Sequence, residues 1–132
     1  MKKFLVIITI LLLGFIGLSK YIFAQDGFDI KVINETNKEI SGIYLTYDHI
    51  KSDIIVPSIE QGEVYKLNVN PTETFVENAM KLQYKDKEEK LHTEYVIGYF
   101  EKGYSGKAEI TIKSVDENGK LDIEIVQNAS AY

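Results

Sequence analysis

The chain has 132 residues with no cysteine and no tryptophan, and all 15 of its basic residues are Lys. Without Cys there is no disulfide framework, no thiolate metal site, no Cys nucleophile and no lipidated cysteine anchor. Three of the lysines precede Tyr21, so the chain beyond Ala24 sets 12 Lys against 20 Asp and Glu, and that negative field repels phosphate and excludes a nucleic-acid groove.

Met1-Lys2-Lys3 forms a short positive n-region, and in Phe4 to Leu18 only Thr9, Gly14 and Gly17 interrupt Phe, Leu, Ile and Val. That pattern is an export signal. The 16 uncharged residues between Lys3 and Lys20 make about 24 Å of helix, short of the roughly 30 Å of a bilayer core. Ala24 supplies the small residue a signal peptidase needs, so a cut between Ala24 and Gln25 is expected. The chain then divides into a signal segment, 1–24, and a single domain, 25–132. The alternative is an uncleaved signal-anchor, with Lys20 snorkelling and Tyr21-Ile22-Phe23 lengthening the span; a membrane would be met through this segment alone. Both readings place the domain outside the cytoplasm, secreted or associated with the cell envelope.

Beyond the signal, Val, Ile, Tyr and Phe dominate the apolar residues, a composition that suits pleated, half-buried strands. Phe28 to Val32 alternate with period 2 and end in the turn residues Asn34 to Lys38. Ile43, Leu45 and Tyr47 predict a second strand and Asp53 to Val56 a third. Pro57 to Gly62 connect to an alternating run from Glu63 to Val69, which Pro71 closes. Alternation is weak from Thr72 to Asn78, where a helical turn or a crossing loop is expected. It resumes at Met80, Leu82 and Tyr84. A charged turn, Lys85 to Glu89, leads into a long run from Lys90 to Glu101, and Ala108, Ile110 and Ile112 follow on one face. Asp116-Glu117-Asn118-Gly119 is a strong hairpin signal, because Asn-Gly accepts the positive φ of a tight turn. Leu121, Ile123 and Ile125 complete the series. Seven or eight short strands in about 100 residues predict an all-β, two-sheet antiparallel β-sandwich of immunoglobulin-like or fibronectin-like type.

The segments FDIKVINETN (Phe28 to Asn37), VPSIEQGE (Val56 to Glu63), YVIGYFEKGYSGK (Tyr95 to Lys107) and ITIKSVDENGKLDIEI (Ile110 to Ile125) resemble small exported β-sandwich proteins of low-GC Gram-positive bacteria. The resemblance covers most of residues 26–126 and rests on strand spacing and on the GYSGK and DENG segments. It implies export and a sandwich fold, and it carries over no activity, ligand or functional residue.

Candidate chemistry is sparse. Gly103-Tyr104-Ser105-Gly106-Lys107 fails as a GxSxG nucleophile elbow because its last position is Lys, and a glycine-rich connection between strands accounts for it. His49 and His92 read as surface histidines. Asp48, His49 and Asp53 share a loop that could gather oxygen ligands for Ca²⁺, but Lys51 opposes a concentrated cation site. In Asp116 to Gln127 the glycine comes too early for an EF-hand loop, and Gln127 replaces the closing glutamate. The pairs Glu60/Glu63, Glu88/Glu89 and Glu94/Glu101 lack the apolar pocket that would raise the pKa of a general acid. The sequons at Asn34 and Asn128 matter only in a glycosylating host. That leaves the aromatic run Tyr95, Tyr99, Phe100 and Tyr104, whose rings could stack on a sugar or anchor a protein partner.

Strict alternation from Lys90 to Glu101 turns Leu91, Thr93, Tyr95, Ile97 and Tyr99 inward. Val96 and Phe100 then face out and form an expected binding surface with Tyr104. A β-bulge at Gly98 is the competing account and would return Phe100 to the core. The leading expectation is a non-enzymatic module, without metal or cofactor, that binds a protein or an envelope component. A small extracellular carboxylate-dependent hydrolase and a structural accessory subunit of an envelope complex are the alternatives. Sequencing the exported protein from its N-terminus tests the export reading: a start at Gln25 is expected, and a start at Met1 in the membrane fraction replaces it with the signal-anchor.

Overall fold

The structure is a computed structural model that describes residues 27–131. The expected signal segment and its Ala24–Gln25 junction lie outside the described residues. Eight strands follow one another: β1 (Gly27–Asn34), β2 (Tyr44–Tyr47), β3 (Ile54–Ile55), β4 (Val64–Val69), β5 (Asn78–Lys85), β6 (Leu91–Phe100), β7 (Ser105–Val115) and β8 (Leu121–Ser130). No helix occurs among the described residues, and the segment between β4 and β5 is a loop. The strands form two four-stranded sheets, ordered β4-β1-β7-β8 and β3-β2-β5-β6.

All pairings are antiparallel except β1 with β7, which run parallel in register from Gly27↔Ser105 to Asn34↔Ile112. The expected all-antiparallel arrangement is corrected there. A parallel pair needs a long connection, and the whole second sheet lies in the chain between β1 and β7. The immunoglobulin constant order, with its four-plus-three division, also differs from the order seen here.

The core lies between the sheets. Phe28, Ile30 and Val32 from β1 and Ala108, Ile110 and Ile112 from β7 face Leu45 and Tyr47 from β2 and Met80, Leu82 and Tyr84 from β5. Phe100 is the largest contribution from β6 and is 1% exposed. Its ring makes edge contacts with Phe28 at 5.1 Å, Phe75 at 5.5 Å and Tyr47 at 6.2 Å between centroids. It thus joins both sheets to the crossing loop.

Val96 is likewise fully buried, so the expected outward placement of Val96 and Phe100 is overturned. Two register shifts explain the phase. Lys81 pairs with Tyr95, Met80 with Ile97 and Asn78 with Phe100, so β6 gains one residue at Val96 and a second near Gly98. The first insertion buries the adjacent Val96 and Ile97, and the second returns the strand to its starting phase. Tyr95 and Tyr99, expected in the core, are 59% and 50% exposed.

Polar groups contribute to the closure of both ends. Near the two ends of the described segment, buried Asn78 accepts the Asp48 N–H through Oδ1 and donates Nδ2 to the Asp48 carbonyl. Tyr47 donates its hydroxyl to Glu73 at 2.7 Å. Burial, reinforced by the Glu73 carboxylate, pushes the Tyr47 pKa far above the ordinary tyrosine range. At the opposite end Asn34, wholly buried, donates to the Lys38 and Ile59 carbonyls and accepts from the Thr36 N–H and hydroxyl.

Asp86 organises the β5–β6 turn at that same end. Its Oδ1 accepts the Glu88 and Lys90 N–H groups, and its Oδ2 lies 2.8 Å from His92 Nε2. The His92 ring stacks on Tyr84 at 5.0 Å, and the Tyr84 hydroxyl accepts the Leu121 N–H. A backbone bond from the Lys87 N–H to the Asn118 carbonyl ties this turn to the β7–β8 hairpin, where Gly119 adopts φ +83° as the sequence predicts.

Phe100→Ala leaves a cavity at the junction of three other rings and is expected to cost about 3 to 5 kcal/mol, measured by urea unfolding. The His92 hydrogen bond, then the turn N–H groups, hold the Asp86 pKa below the ordinary carboxylate value despite burial. A depressed native pKa contributes stability that is present above the unfolded-state value and lost as pH falls through the native one. Melting temperature is therefore expected to fall steeply below the ordinary Asp range in the wild type, and less steeply in Asp86→Asn, which starts lower at neutral pH.

Candidate functional site

Pleating sends every second side chain of the second sheet outward, and the register collects those from four strands on one face. Tyr44 stands opposite Gln83 and Gln83 opposite Thr93; one row along, Thr46 stands opposite Lys81 and Lys81 opposite Tyr95. Ile55 flanks Tyr44 and is 71% exposed. Leu91, Tyr95 and Tyr99 line the β6 margin. Tyr44 and Tyr95 stand two strands and two residues apart, about 12 Å by strand geometry.

The polar residues between the rings are tethered. Tyr44 donates its hydroxyl to Gln83 Oε1 at 3.0 Å, and Gln83 Nε2 donates to the Thr93 hydroxyl at 3.0 Å. One chain of hydrogen bonds thus crosses β2, β5 and β6. Lys81 Nζ lies 6.0 Å from the Tyr95 ring centroid and 3.8 Å from an Asp48 carboxylate oxygen. That combination restrains Tyr95 while leaving much of it exposed.

At the terminal end the face turns a corner. The rings of Tyr99 and Tyr104 meet at 6.2 Å, edge to face, and Tyr104 donates its hydroxyl to Glu101. Desolvation, and behind it the Glu101 and Glu77 charges, raise the Tyr99 pKa above the ordinary value. Beside Tyr104 an open depression of about 490 Å³ is lined by Val76, Glu101, Lys102, Gly103, Tyr104 and Ala131. Val76 is 84% exposed. A second depression, of about 470 Å³, lies on the outer face of the first sheet among Asp29, Lys31, Lys66, Asn68, Lys107 and Glu109. It sets three lysines against Asp29 and Glu109, with Lys31 directly opposite Lys66.

Of the expected surface Val96, Phe100 and Tyr104, only Tyr104 meets this face; the other two pack beneath it. His92, expected at the surface, is half-buried against Asp86 and Tyr84. Asp48 pairs with Lys81 across the sheet, and His49 is an exposed turn residue with φ +71°. Among the described residues no three Asp, Glu or His side chains converge as metal ligands. Glu60, Glu63, Glu88 and Glu89 are exposed in turns. The sequence reading missed Tyr44, Ile55 and Leu91 as surface residues. The signal was present in Tyr44 and Thr46, which alternate with the inward Ile43, Leu45 and Tyr47.

No protein-family profile matches the chain, and no curated protein does. Among solved structures it is similar to an NMR structure of a protein from Eubacterium rectale, with TM-score 0.51 and 16% identity over 80% of this chain and 94% of that one. At that identity the likeness concerns the fold alone.

Proposed function

We propose that the chain is a non-enzymatic, secreted or envelope-associated module that binds a protein or an envelope component through the outer face of its second sheet. In this reading the sandwich is a rigid support that presents one sheet face to its partner, in the manner of immunoglobulin-like and fibronectin-like domains. The observation that carries it is the placement of Tyr95 and Tyr99 on the solvent side of a strand whose other aromatic, Phe100, is buried. A tyrosine ring offers large contact area with few rotatable bonds, and its hydroxyl stays satisfied when the ring is covered. Ile55, Leu91 and Tyr44 widen the apolar area, while Gln83 and Thr93 supply hydrogen-bonding groups already fixed in place.

The accessory-subunit reading has one observation of its own, the open edge of β8, taken up below. The test of the leading reading is co-sedimentation with isolated Gram-positive cell envelopes and titration against the secreted-protein fraction. The double variant Tyr95→Ala/Tyr99→Ala is expected to lose about tenfold or more in binding to whichever fraction retains the wild type, as removal of central aromatic anchors does. Its melting temperature is expected to stay within a few degrees, since both rings are half exposed. Undiminished binding by the double variant rejects this face as the site.

A further inference from the structure

Each sheet ends in two edge strands, and an exposed edge is a template for another strand unless something blunts it. Three of the four edges are blunted. β3 is two residues long and runs into Pro57. β4 is short, carries Lys66 near its middle and is followed by Asn70-Pro71. β6 is broken by its two register shifts and carries Glu94 on its inward phase. The last edge is different. β8 has Asp122 and Glu124 in its first half, but Ile125 to Ser130 hold no charge and no proline. Their register with β7 is unbroken from Glu109↔Val126 to Ser105↔Ser130.

The direction of the backbone groups follows from two hydrogen bonds. The Ile112 carbonyl accepts the Glu35 N–H, on the β1 side, and the Lys107 N–H donates to the side-chain Oδ1 of Asn128, on the β8 side. Strand groups alternate in direction, so Lys107, Glu109 and Thr111 face β8. Their register partners Asn128, Val126 and Glu124 therefore face β7, and the N–H and C=O groups of Ile125, Gln127 and Ala129 face away from it. None of those three has a backbone partner on the open side among the described residues. β6 runs beside β8 in the facing sheet, yet Val126, Gln127 and Asn128 remain exposed, Val126 at 67%.

We infer that β8 is a homodimerisation edge: two copies of the chain pair their β8 strands antiparallel about a two-fold axis at Val126, joining the first sheets into one of eight strands. The charges admit a second copy as the occupant and narrow its register. A two-fold at Glu124 or Asp122 sets like charges directly opposite, which is unfavourable. A two-fold at Val126 opposes Glu124 to Asn128 of the second copy and Asp122 to Ser130, with no acid against an acid. It also matches Ile125 with Gln127 as a hydrogen-bonded pair and brings the two exposed Val126 side chains together across the axis. An isologous contact of this kind closes on itself.

The absence of native Cys makes a single introduced thiol an unambiguous reporter. Across a non-hydrogen-bonded antiparallel pair the Cα atoms lie about 4.5 Å apart, within the range a disulfide spans. In the full chain held in mild detergent, Val126→Cys is expected to form a disulfide-linked dimer roughly tenfold faster under mild oxidation than Val64→Cys, placed on the blunted β4 edge. Equal rates overturn the proposal. Sedimentation equilibrium supplies the second measurement. The wild type is expected to dimerise with rising concentration, and Val126→Lys to stay monomeric with unchanged far-ultraviolet circular dichroism and melting temperature. A wild type that remains monomeric, or a Val126→Lys variant that still dimerises, overturns it as well.

Discussion

The burial of Phe100 is the constraint from which the arrangement of the second sheet follows. One ring, on an edge strand, touches Phe28 of the opposite sheet, Tyr47 of its own sheet and Phe75 of the crossing loop. Nothing else among the described aromatics joins three such elements. To put Phe100 inside while also burying Val96 and Ile97, β6 must insert two residues relative to β5. The insertions cost ladder hydrogen bonds, and core burial offsets that cost: two aliphatic side chains and one aromatic leave water at about 1.5 to 3 kcal/mol each. The same geometry sends Tyr95 and Tyr99 outward, because each is adjacent to a buried position. The tyrosine face is a consequence of the core and needs no separate folding determinant.

The two ends of the sandwich are closed by different physics. At the terminal end the closure is largely aromatic, with Phe75 and Tyr47 over Phe100 and a single carboxylate, Glu73, receiving the Tyr47 hydroxyl. At the far end it is polar. Asp86 is 6% exposed and takes its hydrogen bonds from two turn N–H groups and His92, while Asn34 performs the equivalent task for the turn that follows β1. A buried carboxylate surrounded by donors is costly to disturb, since removing a partner strands a desolvated charge. The far end therefore depends on the ionisation of one carboxylate, and the terminal end depends on packing.

How much of this could be read from the sequence divides along physical lines. Strands with one buried face announce themselves by alternation, so Phe28 to Val32, Glu63 to Val69 and Leu121 to Ile125 were legible, as was the Asn118-Gly119 turn. β6 was not legible in phase, because it carries large apolar residues at both parities. Its inward positions His92 and Glu94 are polar, for a reason the local pattern does not contain. His92 is held by Asp86, which lies across a turn, and Glu94 stands on an edge where inward does not mean enclosed. Counting hydrophobicity therefore favoured Leu91, Tyr95 and Tyr99 as the core set. The parallel pairing of β1 with β7 was equally hidden, since it joins residues about 78 positions apart and no local propensity encodes it. Of the candidate site, Tyr104 and the neighbouring rings could be named from the sequence, but not the side of the sheet on which they lie.

The tyrosine face and the β8 edge belong to different sheets, and this separation has a geometric consequence. A two-fold axis through an antiparallel strand pair stands normal to the sheet, so each first sheet keeps the same side toward its own core. Both second sheets then lie on the same side of the eight-stranded sheet, and both tyrosine faces point the same way. A monomer offering one modest patch binds weakly, because a small contact area leaves little after the entropy of association is met. Two such patches held rigidly in one direction make the second contact effectively intramolecular when the target is a repeating surface, a gain that requires no additional contact per domain. A polymer or layered envelope component presents such repeats, whereas a single globular partner does not. If the face binds as proposed and the copies pair at β8 as inferred, an extended, repetitive ligand is favoured over a one-to-one protein complex.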